Sequence, residues 1–293
     1  MTEFLRFGKI KFVPGLNRGR YPYCHSLLVG DNVIAVIDPA SDERALSEVH
    51  IDTVILSHYH EDHWLYINKL EGTRLWMPEA DRPPMSDLDL FTEWYGITDP
   101  QEKTAMQEVL RNQFSYEERL PDRTFKDGDI LEVGSTRIKV IHTPGHTPGH
   151  CCFYFPGEKV LFLADIDLTK IGPWYGDKYS DIDAFIRSVE KVRRIPAKFY
   201  ITAHEDGVIE GDPGEMWDKY LGVIDMREEK LRELIRKPRS IDEIVEARIV
   251  YGKPREPKLF YDLGERLTML KHLERMIRHG EAELVGDKYR LIK

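Results

Sequence analysis

The chain has 293 residues, 41% of them apolar, and a net charge of −9 at neutral pH. Length and apolar content suffice for one large core, or one core with a small appended unit, and the negative balance argues against a general binder of nucleic acid or of a membrane surface. No run approaches the ~20 apolar residues that a membrane span requires, and residues 1–6 carry an acid and no long apolar stretch, so they do not read as a leader. The three cysteines, Cys24, Cys151 and Cys152, show no paired spacing and give no disulfide framework, which points to a reducing cytoplasm. Charge is unevenly spread: from Met226 onward there are 17 Lys/Arg against 13 Asp/Glu, and before it 25 against 38.

Apolar runs at 10–13, 26–29 and 33–37 read as strands, the last two joined by a turn at Gly30-Asp31-Asn32. Residues 42–49 form a short helix, and 53–56, apolar and β-branched without a polar break, a short buried strand. That strand ends at Ser57-His58-Tyr59-His60-Glu61-Asp62-His63, which places three histidines and Asp62 within six residues. In an extended turn His58 and His60 point the same way, so both imidazoles can meet one metal ion. Asp62 and His63, at the start of an expected helix over 64–70, can face a second ion beside it. A catalytic metal needs such neutral imidazoles and carboxylates converging on one point with a position left open.

A strand at 74–77 follows, then an insertion from 78 to 120 with a helix over 101–114, which suits either a lid over the site or a cover over the sheet. Strands return at 129–133, 138–141, 152–155, 160–163 and 199–202, with a helix over 181–194. Three more ligand-type side chains stand at strand ends: His146 in Pro144-Gly145-His146-Thr147-Pro148-Gly149, Asp165 and His204. Trp174-Tyr175 follow Asp165 closely and suit a pocket wall or a lid on the core.

The spacing H-x-H-x-D-H, followed by His146, Asp165 and His204, resembles the signature of the metallo-β-lactamase-fold hydrolases over roughly residues 10–210. The resemblance implies an αββα sandwich. It implies a first ion held by His58, His60 and His146, a second by Asp62, His63 and His204, and Asp165 between them. Asp62 and Asp165 take the catalytic roles, and Asp38 matches an aspartate that supports the metal loop. The cofactor is then two divalent ions, zinc first, with iron or manganese also suited to His/Asp ligation. Asp167 is a weaker rival to Asp165 for the bridge. His142 and His150 read as turn-bonding residues, and His25, His50, His272 and His279 as ordinary polar positions. His60 stands where the flavodiiron branch has a glutamate, which favours hydrolysis over oxygen reduction; a mononuclear iron dioxygenase is a lesser alternative. No cysteine occupies a motif position, unlike many true metallo-β-lactamases.

From 216 the chain changes character: a helix over 220–235, a Ser240-capped helix over 241–247, a Pro-rich link at 253–257, a long helix over 264–279 and a hairpin turning at Gly286-Asp287. That order is a winged-helix arrangement, and with the preceding part it resembles the lactamase-beta-2-like branch. The expected division is a metal-binding catalytic domain over 1–215 and a helical, winged-helix domain over 216–293, the latter suited to a scaffold beside the active site or a homodimer contact. The function expected is hydrolysis of an ester, thioester or lactone of small or acyl-carrier type. One alternative is an endoribonuclease cutting single-stranded RNA, with Arg227, Lys230, Arg236, Lys237 and Arg239 on the phosphates; another is a non-catalytic winged-helix nucleic-acid-binding protein with a vestigial metal core. On the small-ester reading, ending the chain near Gly211 leaves the chemistry in place.

Overall fold

The computed structural model describes residues 5–292; residues 1–4, most of the segment read above as no leader, and Lys293 lie outside the described residues. One sheet runs in chain order through β1 (Arg6–Phe7), β2 (Ile10–Val13), β3 (Ser26–Gly30), β4 (Ile34–Ile37), β5 (Thr53–Ile55), β6 (Arg74–Pro78) and β7 (Arg123–Phe125). Its first four strands are antiparallel and the rest parallel from β4 onward. The second sheet, again in chain order, holds β8 (Ile130–Val133), β9 (Thr136–His142), β10 (Cys151–Phe155), β11 (Val160–Ala164), β12 (Phe199–Thr202) and β13 (Val208–Glu210), with only β11 and β12 parallel.

Period-two alternation sorts the strands' side chains between layers. Ala35, Ile37, Ile55, Phe153, Phe155, Val160 and Phe162 fill the core between the sheets, while Val36 and Val54 face outward from the first sheet and Cys152, Leu161 and Leu163 from the second. The near-continuous apolar runs of the central strands follow, because both faces of each are covered. Leu46, Leu88, Phe91 and Leu110, from the helices Glu43–Ser47, Leu88–Trp94 and Pro100–Gln113, close the first outer face. The helices Ile182–Arg193 and Glu215–Leu234 close the second through Phe185, Val189, Trp217, Tyr220 and Ile224. The result is the expected αββα sandwich. The 78–120 insertion packs Met85, Leu88, Phe91, Leu110 and Phe114 onto the first sheet as a cover, and the three cysteines are free and buried.

The C-terminal part has its own small core of Leu231, Ile235, Ile244, Met269, Leu273 and Met276. Its helix Ile241–Glu246 starts at a capping box in which Ser240 and Glu243 bond each other's backbone. The terminal strands Ala282–Val285 and Lys288–Leu291 pair antiparallel across Gly286 (φ +66°), a left-handed turn position that suits glycine. Two expectations are corrected. The long helix spans Lys258–Arg278, starting directly after Pro257 rather than at 264, since a proline just outside a helix start loses no hydrogen bond there. The expected helix over 64–70 is instead two short 3-10 turns, Glu61–His63 and Ile67–Lys69, because Tyr66 N–H donates to Pro39 O rather than back along a helix.

Candidate metal centre

All seven side chains singled out by the motif converge where strands of both sheets end. Asp38 follows β4, the 57–63 turn follows β5, His146 sits between β9 and β10, Asp165 follows β11 and His204 follows β12. Backbone strain marks three of these ends: Asp38 (φ +52°), Ala164 (φ +48°) and Glu205 (φ +62°) are left-handed without being glycine. Each costs on the order of 1–2 kcal/mol and turns the chain so that a ligand-type side chain points inward. A register shift in β11 between Phe162 and Ala164 helps aim Asp165.

Three imidazole nitrogens form a triangle: His58 Nε2 to His60 Nδ1 3.1 Å, His58 Nε2 to His146 Nε2 3.1 Å, and His60 Nδ1 to His146 Nε2 2.9 Å. Their outer nitrogens decide what these inner atoms carry. His60 Nε2 donates to Asp177 Oδ2 (2.7 Å) and His146 Nδ1 to Trp174 O (2.9 Å). Ser57 Oγ spends its proton on Asp38 (2.7 Å), so His58 Nδ1 donates to it (2.9 Å). Each acceptor fixes the tautomer and leaves a lone pair facing the centre. His63 Nδ1 likewise donates to Asp38 Oδ2 (2.9 Å) and His204 Nδ1 to Gly19 O, so their Nε2 atoms face inward too.

Asp165 lies between the two groups, with Oδ1 2.9 Å from His63 Nε2 and 3.5 Å from His204 Nε2, and Oδ2 3.2 Å from His146 Nε2. Asp62 Oδ2 is 3.7 Å from His204 Nε2. His63 Nε2 and Asp165 Oδ1 are buried and make no hydrogen bond despite their closeness. Five inward ring nitrogens and two carboxylates packed this closely need protons or metal cations among them, so the donor set fits two divalent ions. The donor spacings lie near the ~3.3 Å edge of a tetrahedron with bonds of ~2.0–2.1 Å. Asp167 is grouped only with Asp165 and His204, which leaves Asp165 better placed to reach both sets.

Burial pushes His146 down to about 4 and holds His58 well below the usual imidazole range, which keeps both neutral. Burial also pulls on His60, but Asp177 outweighs it and lifts the ring to about 9; Asp167 and Asp165 lift His204 to about 10 in the same way. Burial alone would raise Asp165, yet His63, His204 and His146 hold it well below the carboxylate range. Protons and divalent cations thus compete for the same inward positions, so metal uptake should release protons.

Several residues around the centre had no motif to announce them. Asp177 accepts from His60 and from the Tyr59 hydroxyl (2.6 Å). Asp81, fully buried, accepts from Tyr59 N–H (3.2 Å), Thr147 Oγ1 (2.6 Å) and Gly149 N–H (2.6 Å), joining the two turns that carry His58, His60 and His146. Glu61 is capped by the hydroxyls of Tyr21 and Tyr95, which steadies the 3-10 turn holding Asp62 and His63. A single buried carboxylate with donors scattered along the chain leaves no local spacing to read. His142 and His150 bond within their turn, as expected; His150 Nε2 also accepts from Asp165 N–H (3.1 Å). His25 and His272, read as ordinary polar positions, are buried and hydrogen-bonded, the first between Gly15 N–H and Glu205 O, the second between Tyr175 and Glu228. Arg227 is 2% exposed, which removes it from the phosphate-binding candidates.

Residues 22–204 match the family described as the metallo-beta-lactamase superfamily. The chain belongs to that superfamily. The superfamily binds divalent metal ions, typically two. An uncharacterised protein of Aquifex aeolicus (strain VF5) is 30% identical over 149 residues, 47% of this chain and 62% of its own length. A hydroxyacylglutathione hydrolase of Francisella tularensis subsp. novicida (strain U112) is 24% identical over 204 residues, 68% of this chain and 64% of its own. The chain thus spans less than two thirds of the length of these curated relatives. A metallo-beta-lactamase family protein from Thermus thermophilus superposes with a TM-score of 0.75 at 23% identity, over 97% of this chain and 99% of that one. A beta-lactamase domain protein from Burkholderia ambifaria gives 0.69 at 19%, over 97% and 92%. At those identities the likeness speaks for the fold. Among the described residues no helix is long and apolar enough to cross a membrane.

Proposed function

We infer that this superfamily member is a dinuclear metal hydrolase acting on small esters, thioesters or lactones, with thioesters the first choice. The observation that carries the reading is the convergence of ring nitrogens from His58, His60, His63, His146 and His204, with one Asp165 oxygen toward each group. On this assignment His58, His60 and His146 would hold one ion and Asp62, His63 and His204 the other, with Asp165 within reach of both; zinc would suit the donors best. Two such ions supply an activated water at neutral pH and Lewis acidity at the attacked oxygen.

The chain's own residues do the rest. The histidines are at most 4% exposed apart from His204, so bulk water is kept from all but the Asp62, Asp165 and His204 side of the centre. Asp62, 8% exposed at that opening, is placed for a carboxylate oxygen to take the proton of the attacking water and return it to the leaving thiolate or alkoxide. Asp38, Asp177 and the Trp174 carbonyl keep the imidazoles in the tautomers that bind cations. The complete donor set argues against a vestigial core.

Thioesters are preferred because the named relative is a hydroxyacylglutathione hydrolase. The RNA reading has less support: Arg236 and Arg239 are engaged with Glu233 (2.6 Å) and Glu243 (2.8 Å), and Arg227 is buried. We assign residues 1–215 to a catalytic domain and 216–293 to an appended unit, whose helix order and terminal hairpin support a winged helix. Three free cysteines support a cytoplasmic protein. The test is a metal assay paired with a screen of zinc-loaded protein across thioesters, esters, lactones and short single-stranded RNA. Thioester turnover that vanishes with chelator and returns with zinc supports the reading; fewer than one ion per chain, or cleavage of RNA alone, overturns it.

A further inference from the structure

Between Ala164 and Ile182 the chain has no helix or strand, yet it carries two of the acceptors that orient the histidine triangle. Trp174 O takes the His146 Nδ1 proton and Asp177 Oδ2 the His60 Nε2 proton. A segment without a hydrogen-bond ladder of its own must be held by something else. Here the holding groups come from the two long C-terminal helices, at positions that alternate with the orienting ones.

Arg227, on the helix Glu215–Leu234, donates to Ile171 O (2.7 Å), to Pro173 O (2.9 Å) and to the Tyr175 hydroxyl (2.8 Å). Since that hydroxyl accepts from Arg227, its own proton goes to His272 Nε2 (2.8 Å) on the helix Lys258–Arg278. His272 Nδ1 then faces Glu228 Oε1 (3.3 Å), and Glu228 Oε2 takes a bond from Arg275 (2.6 Å). One residue past Asp177, Lys271 Nζ donates to Lys178 O (2.6 Å). Arg227, His272 and Lys271 are 2%, 0% and 8% exposed, so these bonds lie away from competing water. The approach is close enough that a Cβ on Gly172 would lie 2.4 Å from Val223, and one on Gly176 3.1 Å from Leu267 Cβ.

We propose that the C-terminal helices are a working part of the metal centre: Arg227, with His272 and Lys271, fixes the 171–178 segment so that Trp174 O and Asp177 hold His146 and His60 in their cation-binding orientation. Arg227 is a positioning residue, acting two bonds away from the ligands. The proposal rests on the reading that His58, His60 and His146 hold one ion.

The test titrates zinc against a competing chelator, one site at a time. An Asp62→Ala/His204→Ala background leaves the three-histidine site, and a His58→Ala/His146→Ala background leaves the other. Arg227→Met should weaken zinc at the three-histidine site by roughly 10- to 100-fold, the range for losing a partner behind a ligand, and at the other site by less than about threefold. Arg227→Lys, which restores one donor, should recover part of the loss. Equal weakening at both sites, or no change at the first while amide exchange shows 171–178 loosened, overturns the proposal. Should Arg227→Met fail to fold, Tyr175→Phe decides: it keeps the ring and cuts the Arg227–His272 link, and selective weakening of the first site is again required. If the Asp62→Ala/His204→Ala background binds no zinc while remaining folded, the ligand reading itself fails and takes this proposal with it.

Discussion

Replacing Asp81 with alanine should unfasten the two ligand-bearing turns from each other without removing any proposed ligand. Its carboxylate accepts from Tyr59 N–H, Thr147 Oγ1 and Gly149 N–H, and it is fully buried. Hydrogen bonds to a charged group are worth about 1.5–3 kcal/mol each, so three of them set a ceiling of roughly 5–9 kcal/mol. Two effects offset that sum. Burial pushes the Asp81 carboxyl up to about 7, so its removal relieves a desolvation cost. Water entering the vacated space also re-bonds some of the donors. We expect a net loss of about 3–4 kcal/mol, or ~6–15 °C in Tm for a chain of this size, and about half of that for Asp81→Asn, which keeps one acceptor oxygen. The pH dependence has a definite sign. The folded pKa lies above the unfolded value of 3.8, so the stability this group contributes is full below about pH 4 and is lost as pH rises toward about 7. The gap between wild type and Asp81→Ala should therefore narrow between about pH 4 and about pH 7. Thermal melts in excess chelator measure this without a contribution from metal binding. Melting within about 2 °C of wild type for both variants at both pH values would refute the reasoning.

Other outcomes follow from the same geometry. Asp165→Ala should lower metal content at both sites and abolish nearly all turnover, whereas His204→Ala should mainly empty the second site; elemental analysis finding two ions in Asp165→Ala removes the bridging assignment. Burial pushes His25 down to about 4, so the unfolded chain takes up a proton below about pH 6.5 that the folded chain refuses, and roughly 3–3.5 kcal/mol of stability is lost as pH falls from about 6.5 to about 4. His25→Gln, able to serve both of its partners, should flatten that limb of a stability-versus-pH curve; an unchanged limb rules His25 out as its source. Ending the chain near Gly211 should cost far more than the tenfold in kcat that a detachable tail would allow, because Trp217, Tyr220 and Ile224 leave the core of the second sheet's outer face. A folded fragment with wild-type kcat and zinc content would show that the C-terminal helices are dispensable.

Short-range signals carried the sequence reading a long way. The αββα order follows from apolar runs of four or five residues with helices between them, and all seven motif residues meet because each stands at a strand end. What was not legible has local causes. β1, β7 and β13 are edge strands of two or three residues, too short for alternation to rise above chance. The helix expected over 64–70 has the composition for one, but a tertiary bond from Tyr66 to Pro39 decides otherwise.

Asp81 and Asp177 were invisible for a different reason: a buried carboxylate is defined by donors that come from distant parts of the chain, and no window of sequence contains them. Arg227 lies between these cases. Ile224, Arg227, Glu228 and Leu231 fall at i, i+3, i+4 and i+7, one face of a helix, and Ile224 and Leu231 are core residues of their respective clusters. Periodicity alone therefore places a guanidinium and a carboxylate on a buried stripe. A buried arginine needs several acceptors, and a segment lacking strand or helix is where unpaired carbonyls are found. The 165–181 stretch, with Gly172, Pro173 and Gly176 and a ligand-type aspartate at its head, is such a segment. Given that requirement, the helix pattern argues for a clasp on the metal loop rather than a basic surface for phosphates, and the distances from Arg227 to Ile171, Pro173 and Tyr175 agree.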